Sequence, residues 1–300
     1  MEKVLVTGSN GFVGSWIVKE LSKDHIVFGC GTSPLPTHVC ENYFKWDISC
    51  DEEPKELCNK NLNTIIHTAA SKDYNNLSKD LVQTNCFGTY QILKTAVEHK
   101  CKCIIYMSSL PIIGTPKTVP INEQEIFEPQ SLYHATKAAG EFIIEQASHY
   151  GIRVISLRIP SPIGPGMDLN TIVPVFIKRA IDNEDLIIQG KGTRKQNYLD
   201  VRDLAKAIGL LINNEKAKGV YNIGASNIIS NIELANRCVR ILESNSQIAF
   251  SGRPDLNDNV DWTTDDSKLR ALIGNYQFYD LEKSIRDIAR WMKKDENCIF

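Results

Sequence analysis

Short apolar runs alternate with helical patterns along the first half of the chain. The apolar runs have the length of buried strands and lie at Lys3–Thr7, Ile26–Gly29, Thr64–His67, Cys103–Met107 and Val154–Leu157. Between them, apolar residues at helical spacing predict helices over 11–21, 77–99 and 133–150. Strands that alternate with helices predict an α/β fold, in which a doubly wound parallel sheet carries helices on both faces.

The pattern changes after a loop rich in proline and glycine at 160–166. Beyond this loop, the predicted helices lie at 171–182, 201–213, 230–243 and 279–293, and short strands lie at 186–188 and 220–223. We therefore expect a larger domain at 1–165 and a smaller mixed α/β domain at 166–300. Some segments of the second domain are expected to return to the first.

Composition argues against several classes of partner. Lys and Arg (34) nearly balance Asp and Glu (36), so no basic excess points to nucleic acid or to an anionic membrane. The longest apolar runs have only the length of a strand, which predicts no transmembrane helix. The nine cysteines lack CxxC pairs and metal-ligand spacing. We therefore expect reduced thiols, no metal site and a cytoplasmic protein.

A glycine motif follows the first strand and opens the first helix. It runs Thr7-Gly8-Ser9-Asn10-Gly11-Phe12-Val13-Gly14. Gly8 permits a tight turn, Gly11 lets the backbone approach a pyrophosphate, and Gly14 lets the helix pack close to the strand. The helix N-terminus then offers free N–H groups to phosphates. We expect a Rossmann-type dinucleotide-binding loop here rather than a glycine-rich turn without a ligand.

The second strand is not followed by the acid that usually binds the adenosine ribose of such a cofactor. The residues in its place are Cys30-Gly31-Thr32-Ser33. A carboxylate would repel a 2′-phosphate, whereas the hydroxyls of Thr32 and Ser33 can donate hydrogen bonds to one. No arginine adjoins them. The expected cofactor is therefore NAD or NADP, with a modest preference for NADP.

Tyr133 and Lys137 are the most specific chemical feature of the sequence. A spacing of four residues puts both side chains on one face of a helix. A phenol has an unperturbed pKa of about 10, and a neighbouring ammonium lowers that pKa. The pair can then exchange a proton with a substrate hydroxyl while hydride moves to or from a nicotinamide. Ser108 and Ser109 end a buried strand, where a hydroxyl can hydrogen-bond the reacting oxygen.

Together these motifs resemble the extended short-chain dehydrogenases/reductases of the NAD-dependent epimerase/dehydratase family, along essentially the whole chain. The matching segments, in the expected order, are TGSNGFVG at 7–14, WD at 46–47, HTAA at 67–70, TNCFGT at 84–89, SSLPIIG at 108–114, YHATK at 133–137, LRIPSPIGPG at 157–166 and GTRKQNYLDVRDLA at 192–205. An ordered set of motifs is far more specific than any one of them.

The resemblance implies a role for each matching position. Tyr133 is the acid/base, Lys137 holds the nicotinamide ribose and tunes the tyrosine, and Ser109 supplies the catalytic hydroxyl. Asp47 and Ile48 flank the adenine. The full set expected at the cofactor is Gly8, Asn10, Gly11, Phe12, Val13, Gly14, Thr32, Ser33, Asp47, Ile48, Thr68, Ala69, Ala70, Asn85, Ser108, Tyr133 and Lys137.

The resemblance also gives expectations for the substrate, with Ser109, Ser161 and Arg194 as its binding residues. Arg194 matches an arginine that grips the diphosphate of a nucleotide sugar, and Ser161 replaces an asparagine found in many members. Dehydratases of the family carry an Asp-Glu pair after the serine, where this chain has Leu110 and Pro111. Sugar 4,6-dehydration is therefore not expected.

Three functions remain open at this point. In an epimerase, Tyr133 removes a sugar hydroxyl proton, the keto sugar rotates, and hydride returns to its other face. In a reductase, NADPH delivers hydride once to a nucleotide-linked keto-deoxy-sugar or another carbonyl. The third hypothesis is a non-catalytic protein that senses a dinucleotide, but such proteins usually lose the tyrosine or the lysine. The resemblance further implies a homodimer formed through the two long helices.

Overall fold

The computed structural model describes residues 1–36, 40–50, 52–72, 77–224, 227–274 and 276–296. The elements of the first half are β1 Lys3–Thr7, α1 Phe12–Leu21, β2 Ile26–Gly31, β3 Asn42–Lys45, β4 Thr64–His67, α2 Lys79–Val82, α3 Gly88–Glu98, β5 Cys103–Ser109, α4 Leu132–Glu145 and β6 Arg153–Ile159. A π-helical segment at Gln83–Phe87 joins α2 to α3, and 3-10 segments follow β5 and α4 at Leu110–Ile113 and Gln146–Tyr150.

The second half contributes shorter strands and further helices. Its elements are β7 Ser161–Ile163, α5 Ile172–Ile181, β8 Leu186–Ile188, β9 Lys195–Asp200, α6 Val201–Ile212, β10 Gly219–Asn222, β11 Ile228–Ser230, α7 Asn231–Ile241, β12 Ile248–Phe250, α8 Ser267–Ile273 and α9 Leu281–Glu296. Within the described ranges, no helix combines the length and the apolar character needed to cross a membrane.

The central sheet has seven parallel strands in the order β10-β6-β5-β4-β1-β2-β3. This arrangement confirms the predicted α/β fold with a doubly wound sheet. The chain leaves β1 toward β2 on one side, while β4 lies on the other side of β1. Such a reversal of strand order opens a crevice at the carboxyl ends of the strands, where ligands of this architecture bind.

Each face of the sheet is covered by helices through a separate apolar core. On one face, Ile17 of α1 and Ile208 of α6 pack against sheet residues such as Ile105. On the other face, Ile92 of α3 and Ile144 of α4 belong to a second buried cluster. Because the strands are buried on both faces, their sequences are continuously apolar.

The second half returns one strand to the main sheet and builds small sheets of its own. β10 completes the edge of the seven-stranded sheet, whereas β7, β9 and β11 form a three-stranded sheet and β8 pairs with β12. Helices α5, α7 and α9 surround a third apolar core that contains Phe176, Leu234 and Ile285. The three-stranded sheet begins directly after β6, which brings the second half beside the crevice.

Candidate active site

The glycine loop leaves almost no room between β1 and α1. Gly8 has a φ of +65°, and a Cβ at this position would lie 2.8 Å from the backbone of Ala69. A Cβ on Gly14 would lie 2.2 Å from the carbonyl oxygen of Gly8. By contrast, the nearest atom to a Cβ on Gly11 would be that same oxygen at 3.2 Å. The tight turn therefore holds the N-terminus of α1 against the strand.

The first turn of α1 is suited to an anion. Its N-cap, Gly11, makes no side-chain capping bond, and the turn contains no acidic residue. The first N–H groups of a helix lack intrahelical partners, and the helix dipole places partial positive charge beside them. These N–H groups therefore fit the pyrophosphate of a dinucleotide.

A cleft of about 290 Å³ runs from this loop to the catalytic pair. It brings together most of the residues predicted from the sequence, namely Gly8, Asn10, Gly11, Phe12, Val13, Gly14, Thr32, Ser33, Thr68, Ala69, Ala70, Ser108, Ser109, Tyr133 and Lys137. A larger cavity of about 760 Å³ lies along α1 between Trp16 and Trp291. None of the catalytic residues lines that cavity, so the smaller cleft is the candidate site.

The loop after β2 is held against the glycine loop. The side-chain amide of Asn10 donates to the Leu35 carbonyl (3.1 Å) and to the Tyr43 hydroxyl (3.2 Å). Tyr43 in turn donates to the carbonyl oxygen of Ser33 at 2.8 Å. This network fixes the backbone that presents Thr32 and Ser33 to one end of the cleft.

Asp47 and Ile48, expected beside the adenine, do not line this cleft. The Asp47 carboxylate accepts hydrogen bonds from the Ser49 N–H at 2.9 Å and from its hydroxyl at 2.6 Å, and these bonds lower the pKa of Asp47. Ile48 is buried and lies against Gly88, at the start of α3. In this structure both residues support the turn after β3.

Tyr133 and Lys137 are both buried on α4, with exposed fractions of 6% and 3%. The Lys137 Nζ lies 4.1 Å from the centroid of the Tyr106 ring. Burial, together with the nearby ammonium of Lys72, lowers the pKa of Lys137 to about 7, while the carboxylate of Glu141 acts in the opposite direction. The lysine can therefore change its charge near neutral pH, beside the phenol that we expect to exchange a proton.

Asn85 lies outside the cleft and connects its two walls. Its amide N–H donates to the Thr136 hydroxyl on α4 (2.9 Å), and its carbonyl oxygen accepts from the backbone N–H of Ser71 (2.8 Å). The Thr136 hydroxyl donates to the backbone carbonyl of Tyr133 at 2.8 Å. The π-helical segment that contains Asn85 thus ties the loop after β4 to the turn of α4 that carries the tyrosine.

His67 links the same region to β1. Its Nδ1 lies 2.8 Å from the Thr7 hydroxyl, and its Nε2 lies 3.1 Å from the Thr89 hydroxyl. Complete burial, with a contribution from the Lys137 charge, lowers the pKa of His67 to about 3. The ring is therefore neutral at physiological pH and joins two strands and a helix by hydrogen bonds.

The two serines at the end of β5 differ in their surroundings. Ser108 is buried, and its hydroxyl donates to the carboxylate of Glu141. Ser109 is half-buried at the mouth of the crevice and lines the cleft. Both serines line the cleft, but the Ser108 hydroxyl is engaged by Glu141.

The expected substrate residues, Ser161 and Arg194, meet through a residue that the sequence analysis missed. The side-chain amide of Gln196 lies between them, 2.9 Å from the Ser161 Oγ and 3.0–3.2 Å from the guanidinium of Arg194. With its oxygen toward Arg194, the amide accepts two hydrogen bonds from the guanidinium and donates one to Ser161. The register of β7 on β9, in which Ser161 pairs with Tyr198, produces this contact.

Lys72 is a second missed residue, and it lines the cleft with Lys137. Lys72 is exposed as a whole residue, yet burial around its ammonium lowers the pKa of Lys72, and the Asp168 carboxylate partly offsets that effect. The sequence offered one signal for it, because Lys72 lies two residues after the end of the HTAA segment at 67–70. Two ammonium groups in one cleft favour anionic ligands.

A parallel α/β sheet, a glycine loop after its first strand and a Tyr-Lys pair in one cleft are together typical of oxidoreductases that bind a dinucleotide. The family model of the NAD dependent epimerase/dehydratase family matches residues 4–224. The chain belongs to this family, which confirms the predicted resemblance and, at the level of the family, the dependence on NAD or NADP.

Curated relatives include several activities. The chain is 26% identical over 270 residues to a dTDP-D-glucose 4,6-dehydratase of Dictyostelium discoideum, covering 80% of this chain but only 62% of that relative. It is 25% identical over 260 residues to a dTDP-glucose 4,6-dehydratase of Streptomyces niveus, covering 79% and 77%. A dTDP-4-dehydro-6-deoxyglucose reductase of Escherichia coli is 25% identical over 275 residues, with 85% and 87% covered.

The expectation against sugar 4,6-dehydration is therefore wrong as an exclusion, because dehydratases stand among these relatives. That expectation depended on the identity of Leu110 and Pro111, which form a 3-10 segment here. A general acid or base is defined by its reach to the substrate and not by its position after one serine. Two positions in one segment cannot set aside a class of reaction.

Solved structures match almost the whole chain. A UDP-N-acetylglucosamine 4-epimerase from Methanobrevibacter ruminantium M1, in complex with UDP-N-acetylmuramic acid, has a TM-score of 0.87 at 24% identity and covers 98% of this chain and 99% of its own. MoeE5, in complex with UDP-glucose and NAD, has a TM-score of 0.85 at 23% identity, with 98% and 99% covered. At these identities the likeness shows that the fold is the same.

Proposed function

We propose that this protein is an NAD(P)-dependent epimerase that acts on a nucleotide sugar through a transient keto intermediate. The observation that carries the proposal is the burial of Tyr133 and Lys137 in the cleft that begins at the glycine loop. Solved epimerases that share the fold, among them the one that holds UDP-N-acetylmuramic acid, support the choice of reaction.

Different residues of the cleft act on the cofactor and on the sugar. The free N–H groups after Gly11 hold the pyrophosphate of the dinucleotide, and Thr32 and Ser33 lie at its adenosine end. A nicotinamide held in this cleft would supply the hydride chemistry at the sugar carbon. Tyr133 removes the hydroxyl proton of that carbon and later gives it back, while the Lys137 ammonium favours the phenolate.

Ser109 and the anion-binding residues orient the sugar. The Ser109 hydroxyl donates to the oxygen that carries the developing negative charge. Arg194, held by Gln196, binds the diphosphate of the nucleotide, because a guanidinium matches phosphate oxygens with paired donors. The neutral Gln196 and Ser161 beside it give the diphosphate hydrogen-bond partners without further charge.

Tyr133→Phe tests the assignment of the acid/base. The variant removes one hydroxyl and keeps the ring, so we expect turnover of a nucleotide sugar to fall by at least about a thousandfold while cofactor affinity changes little. Tyr150→Phe is the matched control, since Tyr150 is exposed beyond the end of α4. Products are identified by NMR after incubation with UDP- and dTDP-sugars.

The products decide between the activities of the family. A C4 epimer formed without net consumption of cofactor supports the proposal. Retained turnover in Tyr133→Phe removes this residue from the mechanism. A 4-keto-6-deoxy-sugar as the accumulated product contradicts the epimerase assignment and places the chain with the dehydratases among its relatives.

A single-step reductase is the second candidate. The observation that favours it is the loop at Thr32 and Ser33, which lines the cofactor cleft with hydroxyls and without an acid. That composition tolerates the 2′-phosphate of NADPH. Consumption of one NADPH for each keto sugar reduced, with NADH used more slowly, would establish this activity in place of epimerisation.

We also propose that the protein is cytoplasmic and forms a homodimer through α3 and α4. Each of the eight described cysteines is a free thiol, as expected in a reducing compartment. Several large apolar side chains are exposed on the α2–α4 region, and exposed apolar patches commonly mark protein interfaces. They are Val82, Phe87, Tyr90 and Phe142.

A further inference from the structure

A buried ion pair begins one helical turn after Lys137 on α4. Glu141 follows Lys137 by four residues on α4, so the two side chains occupy the same side of the helix. The guanidinium of Arg158 binds Glu141 through two parallel hydrogen bonds of 3.0 Å. Both side chains are almost inaccessible to solvent, with exposed fractions of 4% and 5%. The established motifs of the chain do not assign a role to this pair.

The carboxylate of Glu141 is clamped by two adjacent strands. Ser108 of β5 and Arg158 of β6 are direct partners in the register of the sheet, and both donate to Glu141. A further donor of Arg158 binds the carbonyl oxygen of Glu123 at 3.0 Å, and its guanidinium lies 4.6 Å from the centroid of the Phe127 ring. Every part of the clamp is therefore fixed by its surroundings.

Stability alone is a poor explanation for such a pair. Removing two charges from water costs several kcal/mol per ion, and replacing a buried pair by apolar residues is often neutral or stabilising. A well-packed apolar contact would fasten α4 to the sheet equally well. The position of the carboxylate, one helical turn from Lys137, points to an electrostatic purpose instead.

The groups around Lys137 either favour or disfavour its charged form. Lys72 lines the same cleft and its positive charge disfavours a charged Lys137, whereas Glu141 and Cys86 favour that charge. Burial raises the pKa of the Cys86 thiol, so at neutral pH this thiol is uncharged. His67 is neutral, and the Tyr106 ring lies against the ammonium. Among the described groups that act on Lys137, Glu141 therefore supplies the negative charge at neutral pH.

We propose that Glu141, clamped by Ser108 and Arg158, is a positioning residue that keeps the Lys137 ammonium charged and directed into the cleft beside Tyr133. The inference rests on the proposed catalytic role of Tyr133 and Lys137. It assigns Ser108, which the resemblance placed at the cofactor, to the support of Glu141. It also explains why the two serines of β5 have different surroundings.

Glu141→Gln tests this role through the pH dependence of the reaction. The substitution keeps the shape of the side chain and removes its charge, so the pH at which kcat/KM declines on the alkaline side should fall by about one to two units. Glu145→Gln is the matched control, because Glu145 lies one turn further along α4 and is exposed. Glu141→Asp should recover most of the wild-type profile.

A second readout does not require turnover. The pH dependence of NADH affinity, followed by fluorescence, reports the charge of Lys137 because this residue lines the cofactor cleft. The midpoint should shift in Glu141→Gln and stay in place in Glu145→Gln. If Tyr133→Phe remains active, the proposed function fails, yet this binding measurement still tests the role of Glu141.

A double substitution tests the inference if the single variant Glu141→Gln is too unstable to fold. If Glu141→Gln does not fold, Glu141→Leu combined with Arg158→Met removes both charges and leaves no buried ion unpaired. A shift in the same direction should persist in this variant, since Glu141 lies one helical turn from Lys137, but it should be smaller because the opposing charge of Arg158 is removed as well. Coincidence of both pH profiles with those of the wild type, in a folded variant, would overturn the inference and leave the pair a structural clamp.

Discussion

His67 gives the site a pH-dependent contribution to stability. The unfolded chain binds a proton at this residue below a pKa of about 6.5, whereas the folded protein does so only near 3. Between these values the unfolded state binds more protons, so stability falls as the pH decreases through this window.

We therefore expect the wild type to lose about 1 kcal/mol more than His67→Gln when the pH drops from 7.5 to 5.5. Glutamine can keep hydrogen bonds to Thr7 and Thr89 without titrating. Urea denaturation at both pH values measures the difference. Equal losses in the two proteins would show that His67 does not titrate as its burial requires.

Among individual residues, those that the sequence predicted are the ones whose chemistry requires a fixed spacing. Tyr133 and Lys137 are four apart because a helix must place them side by side, and the glycines recur because a tight turn needs them. Arg158 and Gln196 were missed because only the pairing of distant strands gives them their partners. No spacing along the chain encodes those contacts.

Among the elements, α4 lies unusually close to β5. A Cβ added to Gly140 would lie 2.0 Å from the Tyr106 hydroxyl and 2.6 Å from the Cζ of its ring. Alanine normally stabilises a helix by about 1 kcal/mol relative to glycine. Here the clash should outweigh that gain, because Tyr106 is fully buried and cannot move aside.

We expect Gly140→Ala to lower the free energy of unfolding by about 1–3 kcal/mol. Gly209→Ala is the matched control in α6, since its Cβ would meet the Leu21 side chain at an ordinary 3.6 Å. That variant should be neutral or more stable. Denaturant titration compares the two, and a stabilised Gly140→Ala would contradict the close approach of α4 to the sheet.

The strands that sequence patterns predicted best are the apolar ones, among them β8, whose bounds match the predicted 186–188. β1, β2, β4, β5 and β6 appear near their predicted places because strands buried on both faces are continuously apolar. The short strands β3, β7, β9, β11 and β12 were missed, since three to six residues carry no clear period. The predicted helix at 77–99 is interrupted by the π-helical segment around Asn85.

For the whole molecule, we expect an assembly of two copies. Phe142 is 64% exposed on α4, and Tyr90 is 49% exposed on α3. A charge placed in an apolar interface is costly to desolvate. Phe142→Glu should therefore convert a dimer into a monomer, as measured by light scattering after gel filtration.

The control for this experiment is Phe250→Glu. Phe250 is similarly exposed, at 53%, but lies in β12 of the second half. It should leave the molar mass unchanged. A monomeric wild type at micromolar concentration would contradict the proposed interface.

The division of the whole chain into a cofactor part at 1–165 and a substrate part at 166–300 stays a proposal. The change in the pattern of strands and helices near residue 160 suggested this division. The pairing of β10 with β6 in the main sheet is a long-range contact that such a pattern does not reveal. Which sugar is bound is likewise decided by loops of the second half, whose geometry arises only in the folded protein.

We propose that the cleft holds a nicotinamide dinucleotide for redox chemistry on a sugar. Mass spectrometry of the nucleotide released from freshly purified, denatured protein tests it most directly. We expect about one NAD per chain, retained because an epimerase recycles its cofactor. An empty site that binds NADPH more tightly than NADH would instead favour the reductase. A protein that releases no dinucleotide and then binds neither NAD(H) nor NADP(H) would contradict the claim.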